Sequence, residues 1–436
     1  MNNGVQYDKG VRELAKDNIG TSGPRLPWAG KKVRAEYVEE ELSHLWRIAA
    51  DNVRTSQNIN VRTSVLNLVI CASDIESAQQ ASKLMRDLLS TLIARFTLLI
   101  LDGRSDSPSD VSTWVTLRSF PIISDLMRHN FEQVTILVSG SAVHSAAHIV
   151  HPLLKPDLPI YLWWLNDPPH DSPVFADLVK VSSRAIVDSN TFLHPENGIN
   201  ILSSFLQQEP DSAISDLNWA RVTPWRELVA QFFDVAEYRP YLAGVHRIEI
   251  EHAARPESGR TPEGEISPDP IQALLLAGWL KAILNWKLAD DKTSNTYEPS
   301  TGTYSWHVVH PTGTLILRSI GTSTGKTGSL TSHEEGNISI RPRVQSDVRP
   351  GTICLVRLIS DLAQQKYAIF SLDRGDDAEH VYTSVELPEG TRSQRTVPVA
   401  TANNAVQLLH DELEIIGRDR LFEDTLHEVT ELLAPE

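Results

Sequence analysis

The chain has 436 residues, 41% of them apolar and 22% charged, enough for roughly two domains with ordinary buried cores. A formal charge of −16 excludes bare affinity for nucleic acid or anionic membrane, because both repel net negative charge, and the densest basic spot is only the Lys31-Lys32 pair. Two cysteines, Cys71 and Cys354, exclude a disulfide framework and point to a reducing, cytoplasmic compartment.

Residues 1–33 mix Gly, Pro, Asn and charge without periodicity and read as a mobile tail; residues 1–10 lack the apolar core of a signal peptide. From Tyr37 the pattern turns helical, with Val38, Leu42, Leu45, Trp46 and Ala49 on one stripe. Strand-like runs then alternate with helical ones. Strands are expected at 65–71, 96–101, 111–117, 134–138, 158–165 and 185–187, and helices at 74–90, 122–129 and 141–151. Continuous apolar strands alternating with helices predict a mostly parallel sheet with helices on both faces, an α/β N-terminal domain over 34–210.

The second half has a different grammar. A helix is expected within 216–233, a strand at 245–250, a Pro/Gly/Glu-rich loop over 253–270 and an apolar helix at 271–288. Gln272, Gly278, Lys281 and Asn285 interrupt that helix, so it reads as a core helix and not a membrane span. Short strands follow at 305–309, 314–319, 337–341, 353–358, 367–372 and 381–385, with a hairpin turn at His310-Pro-Thr-Gly313. Two amphipathic helices close the chain, the first capped by Gly417. Strands in succession without intervening helices predict an antiparallel sheet, and 211–436 is an α+β C-terminal domain.

Local motifs for chemistry are weak. Gly321-Thr-Ser-Thr-Gly325-Lys326-Thr327 has one residue too few between its glycines for a phosphate loop, with Ile320 where the first glycine belongs, and reads as a loop between strands. His144, His148 and His151 share a helical face, but no Glu, Cys or further carboxylate completes a metal set. Ser139-Gly140-Ser141 lies where a strand meets a helix, and its amides define the one alternative kept open, a sugar-phosphate-binding enzyme. Asp373, Asp376 and Asp377 fall at a hairpin tip without calcium-loop spacing. No catalytic, metal or cofactor residue is assigned, and no cofactor is implied. Tryptophan is the distinctive residue: ten are present, with Trp163-Trp164 assigned to the core of a strand covered on both faces.

Two segments carry a family resemblance. His151-Pro-Leu-Leu-Lys-Pro-Asp-Leu-Pro-Ile-Tyr-Leu-Trp-Trp-Leu165 resembles a signature of the OpcA family, and Leu217-Asn-Trp-Ala-Arg-Val-Thr-Pro-Trp-Arg-Glu227 resembles the hallmark that opens that family's C-terminal domain. The resemblance implies a non-catalytic cytoplasmic protein that binds oligomeric glucose-6-phosphate dehydrogenase and promotes its assembly or activation in the oxidative pentose phosphate pathway. The expected contact residues are Trp219, Arg221, Trp225 and Arg226, because Trp and Arg dominate interface hot spots. It also implies redox control through C-terminal cysteines in cyanobacterial members. Only Cys354 lies in that half here, so no dithiol can form within it and direct thioredoxin control is not expected.

Overall fold

The computed structural model describes residues 26–434 apart from 27, 57–58, 62–63, 89–91, 105–106, 124–126, 171, 255–269, 290–295, 299, 310–334, 346, 363–365, 376–377, 400–404 and 416. The expected strand at 314–319, the turn at 310–313 and the glycine-rich segment 321–327 lie outside the described residues. The chain divides into two units, Met1–Asn166 with Asp171–Ala185, and Asp167–His170 with Ile186–Glu436.

In the first unit the seven-residue run Leu-Asn-Leu-Val-Ile-Cys-Ala forms β3 (Leu66–Ala72), and every one of its side chains is buried. Side chains alternate across a strand, so complete burial means that both faces of the sheet centre are covered, as parallel sheets require. The neighbouring strand β4 (Ala94–Asp102) has the same character. The sheet runs β1 (Lys31–Val33), β5 (Asp110–Ile123), β6 (Met127–Ser139), β4, β3, β7 (Ile160–Trp164), with β2 (Ile59–Val61) added on β6. Pairing is parallel for β3 with β4 and β7, β4 with β6, and β2 with β6; it is antiparallel for β1 with β5 and β5 with β6. Helix α1 (Val38–Ser56) packs on β5, and α2 (Ile75–Leu88) on β3 and β4. This is the expected mostly parallel α/β arrangement.

Two local expectations are corrected. Of the helix expected at 122–129, residues 122–123 and 127–129 lie instead on the two limbs of the antiparallel β5–β6 ladder, whose register runs from Asp110 opposite Ser139 to Ile123 opposite Met127, and 124–126 lie outside the described residues. Their apolar spacing fits a helical stripe, but the long antiparallel ladder supplies backbone partners on both limbs and prevails. The segment 141–151 is not one helix either. It is a 3-10 stretch (Gly140–Ser145), a single turn α3 (Ala146–Val150) and a second 3-10 turn (His151–Leu153). Pro152 has no N–H to continue the ladder.

One buried ion cluster ties α1 to this sheet. Glu132 on β6 accepts a 2.7 Å hydrogen bond from Trp46 Nε1, and Arg95 Nε and Lys155 Nζ each lie 3.2 Å from its other oxygen. Burial alone would raise the Glu132 carboxyl, but Arg95, Lys155 and the Trp46 bond hold it below the usual carboxylate range.

Helix α4 (Pro173–Val181) closes the first unit, and the chain passes into the second along β8 (Arg184–Val187). A short strand, β9 (Ile214–Asp216), leads into the long helix of the second unit. That unit's main sheet runs β11 (Lys287–Leu288), β13 (Thr303–Val309), β14 (Glu335–Val344), β10 (Val245–Ala254), β15 (Ile353–Leu362), β16 (Lys366–Arg374), β17 (His380–Leu387), β18 (Gly390–Pro398), with β12 (Thr296–Glu298) on β13. Every pairing is antiparallel except β10 with β14. Its helices are α5 (Pro195–Gln208), α6 (Leu217–Asp234), α7 (Arg239–Leu242), α8 (Ile271–Ile283), α9 (Ala405–Glu414) and α10 (Arg420–Leu433).

Helix α8 has eleven consecutive buried residues, the mark of a helix surrounded by protein. It ends at Ile283, short of the expected 288, because Asn285 takes a left-handed φ of 51° and turns the chain into β11. At Gly278 a side-chain Cβ would stand 2.6 Å from Val429 Cγ2, so glycine lets α10 lie close against α8. From α10, Glu428 and, at 2.7 Å, Glu431 hold the buried Lys281 ammonium. Under the sheet, Phe370 of β16 gathers Phe232, Phe233, Tyr238 and Tyr241.

His252 of β10 is fully buried, and only a backbone contact at Ala253 works against the cost of charging its ring there. Burial therefore pushes its pKa down to about 4, from an ordinary value of 6.5. The unfolded chain binds a proton here between pH 6.5 and 4 that the folded chain refuses, so the neutral imidazole favours folding above that window and the advantage fades below it. His252→Leu should narrow the acid loss: relative to the variant, wild type should lose about 2–3 kcal/mol of unfolding free energy from about pH 7 to about pH 4. Chemical denaturation at the two pH values checks this.

Candidate docking region

The second hallmark segment is the N-terminal half of α6, and its side chains are engaged inside the unit. Asp216 caps the helix, accepting from the Asn218 N–H at 2.9 Å, and it also accepts from the Ser189 N–H at 2.9 Å and the Ser189 hydroxyl at 2.5 Å. One turn on, the Arg221 guanidinium donates to both oxygens of Asp188, at 2.6 and 2.9 Å. Asp188 in turn caps the short 3-10 turn Ser189–Thr191. This forked pair and the Asp216 cap fasten the turn after β8 to the start of α6.

The two tryptophans extend the same anchoring. Trp219 Nε1 donates to Asp419 Oδ2 at 2.9 Å, and its ring lies 5.8 Å from that of Phe422; Asp419 also caps α10 through the Phe422 N–H. The Arg226 guanidinium stacks 3.5 Å from the Trp219 ring centroid and donates to Thr223 Oγ1 at 2.7 Å. Burial lowers the Arg226 pKa to about 10, against the opposing pull of Asp419 and Glu227, so it remains a cation at neutral pH. Trp225 faces the Arg374 guanidinium, 5.5 Å away. Trp219, Arg221 and Trp225 are 3%, 8% and 2% exposed, whereas Arg226 is half-buried and its neighbour Glu227 is exposed. The partner Asp188 has no local sequence signal, while Asp216 and Asp419, each before a helical run, are recognisable caps, and only the contact of Asp419 with Trp219 is hidden from the sequence.

The other sequence candidates fall elsewhere. Gly140 has φ +58°, and a Cβ there would meet the Ser107 carbonyl at 2.5 Å; the 107–109 loop sits on this turn, and Ser139 Oγ donates to the Pro108 carbonyl at 2.8 Å. The serine is thus used in a loop contact, and a 3-10 turn follows it in place of a helix N-terminus. His144, His148 and His151 are exposed, with His144 Nδ1 3.2 Å from its own turn's Ser141 carbonyl. Among the described residues no group of three or more His, Cys, Asp or Glu could hold a metal ion. Asp373 pairs with Arg343 at 2.7 Å; Asp376 and Asp377 lie outside the described residues. Trp163 and Trp164 are both buried, Trp164 edge-on to Phe175 at 5.0 Å.

Both thiols are free and buried. Burial drives the Cys71 pKa well above its ordinary value and pushes Cys354 up to about 12, so neither offers a thiolate at neutral pH. Among the described residues no helix is long and apolar enough to cross a membrane.

These features define a two-unit α/β protein in which the distinctive aromatic and basic side chains of the hallmark segment bind the second unit together. Comparison with known proteins gives the family. Two family models, described as the N-terminal and C-terminal domains of a glucose-6-phosphate dehydrogenase subunit, match residues 86–204 and 212–426 respectively. The OxPP cycle protein OpcA of Synechocystis sp. is 26% identical over 310 residues, covering 69% of this chain and 56% of that protein. The OpcA protein of Synechococcus elongatus is 33% identical over 156 residues, 36% of this chain and 32% of that one. The chain belongs to the OpcA family. It spans between about a third and somewhat over half the length of the curated relatives it matches. A solved scyllo-inositol dehydrogenase from Lactobacillus casei superposes with a TM-score of 0.40 at 9% identity, over 86% of this chain and 95% of that one. A likeness that slight carries no argument.

Among the described residues of this region, the Asp216 carboxyl is the acid lifted by its surroundings. Complete burial and the nearby Asp188 charge raise it to about 6, against the Ser189 and Asn218 hydrogen bonds that favour its ionised form. The folded chain therefore binds a proton between pH 3.8 and 6 that the unfolded chain releases, and stability declines as pH rises through that window. Asp216→Asn stays neutral throughout. Between about pH 4 and about pH 7 the difference in unfolding free energy should move by about 2–3 kcal/mol in favour of the variant, read from denaturation curves at each pH.

Proposed function

We propose that this chain is a non-catalytic, cytoplasmic regulatory protein that binds glucose-6-phosphate dehydrogenase and promotes its assembly and activation in the oxidative pentose phosphate pathway. The observation that carries the reading is the ordered match of two dehydrogenase-subunit family models along most of the chain. The relatives named as OxPP cycle proteins support the pathway. Neither nucleic acid nor membrane enters the reading, in keeping with the formal charge of −16.

The hallmark residues divide the work. Arg226, with its half-buried guanidinium beside exposed Glu227, makes the direct contact; Trp219, Arg221 and Trp225 are positioning residues that hold α6 against α10 and the turn after β8. Activation is then linkage: the protein binds one state of the dehydrogenase better, and its differential affinity raises that state's population. A tenfold gain in substrate affinity asks for only about 1.4 kcal/mol of such preference.

Purified chain mixed with the dehydrogenase should co-elute with it and lower the glucose 6-phosphate concentration at half-saturation. Arg226→Ala should weaken the complex by about tenfold, a hot-spot effect, with the circular dichroism spectrum unchanged. If neither elution nor half-saturation changes, the reading is rejected. A rise in dehydrogenase oligomer without altered kinetics would reduce the role to assembly alone.

A further inference from the structure

The main sheet of the second unit has an apolar side and an ionic one. Ile248, Ile250, Ile338, Ile340, Leu358 and Phe370 form its buried side, in register across β14, β10, β15 and β16. The residues between them face the other way, and ion pairs line that side: Arg341 with Glu251 and Arg357 with Glu249 at 3.0 Å on adjacent strands, and Arg343 of β14 with Asp373 of β16 at 2.7 Å. Beside this lattice lies an apolar centre. Ile359 and Ile369 are direct cross-strand neighbours and only half-buried, Tyr367 is 42% exposed and Tyr382 38% exposed.

We propose that this open sheet face is the interface through which two copies of the chain pair about a twofold axis. Three observations point to a second copy as the occupant. A twofold interface sets a patch against itself, so its charge must be self-complementary, and here arginines and carboxylates are interspersed on the one face. The chain as a whole carries −16, so two copies repel over most of their surface and meet most readily on a face that is locally neutral. The extent is of the same order as a standard interface, with Ala253, Leu355, Ser371 and Glu249 on this side themselves buried beneath their neighbours. Seven strands from β13 to β18 at about 4.8 Å, with roughly eight residues each at about 3.3 Å, make a face on the order of 900 Å². A standard interface needs about 800 Å² per partner. The composition agrees: on β14, β10 and β15 every cation but His is arginine, and tyrosines lie beside them on β16 and β17, the residues enriched in interfaces where lysine is depleted.

Sedimentation of the full chain across the low-micromolar range tests this without the dehydrogenase. Wild type should run at twice the chain mass. Ile369→Glu at the centre and Tyr382→Glu nearer its edge should each raise the dissociation constant at least about tenfold. Ile283→Glu, at an exposed position of helix α8, should leave the dimer intact, and circular dichroism confirms that all three variants fold. Tyr382 is exposed, so its variant decides the matter even if Ile369→Glu fails to fold. Wild type at monomer mass throughout, or a dimer indifferent to both face variants, overturns the proposal. A monomer that loses co-elution with the dehydrogenase on Tyr382→Glu also overturns it and assigns the face to that enzyme. The dimer can fail while the regulatory reading stands, and the reverse.

Discussion

The forked Arg221–Asp188 pair is the contact through which the second unit is organised. It takes the turn that follows β8 and clamps it to the first turns of α6, so the long helix starts at a defined place and angle. From there Trp219 reaches Asp419, the cap of α10, and α10 lies along α8 because Gly278 permits the approach and Lys281 holds it. Each step hands a fixed position to the next. Taking one member away leaves a buried charge alone, which costs about 3–5 kcal/mol, more than the pair itself contributes. The same logic governs the first unit, where Glu132 collects Arg95, Lys155 and Trp46.

That arrangement explains why a segment rich in Trp and Arg need not present them to solvent. Hot-spot residues are effective when a rigid scaffold holds them, and buried members of such a set act by fixing their exposed neighbours. In this chain Arg226 is the point where the anchored cluster comes to the surface. The thiols stand apart from it: Cys71 and Cys354 are buried, with raised pKa values, and act as small apolar side chains in their strands.

A sheet apolar on one side and lined with ion pairs on the other presents a different kind of surface. Its arginine–carboxylate pairs are half-exposed on the arginine side, and they set a fixed pattern of charge that a partner must match. The apolar side packs the interior of the unit, and the polar side is suited to recognition. The two roles separate by strand alternation alone.

Much of this was legible in the residue pattern. Continuous apolar runs at 65–71 and 96–101 announced strands, found at 66–72 and 94–102 and buried on both faces; successive short strands announced the antiparallel sheet, and the Trp163-Trp164 pair announced a two-sided core. These depend on side-chain periodicity, which is a local property. Residues 122–123 and 127–129, expected in a helix, lie on β5 and β6, Lys31–Val33 became an edge strand without any periodic signal, and α4, α5 and β18 gave too little pattern to be foreseen. The hallmark segment could be found in the sequence, but its partners could not. Asp188 and Asp419 lie 33 and 200 residues from the side chains they engage, and a single carboxylate looks the same in sequence whether it is solvated or closing a buried ion pair. Local chemistry determined which elements form; only the tertiary structure decided which charges meet, because that choice is made by desolvation and distance in three dimensions.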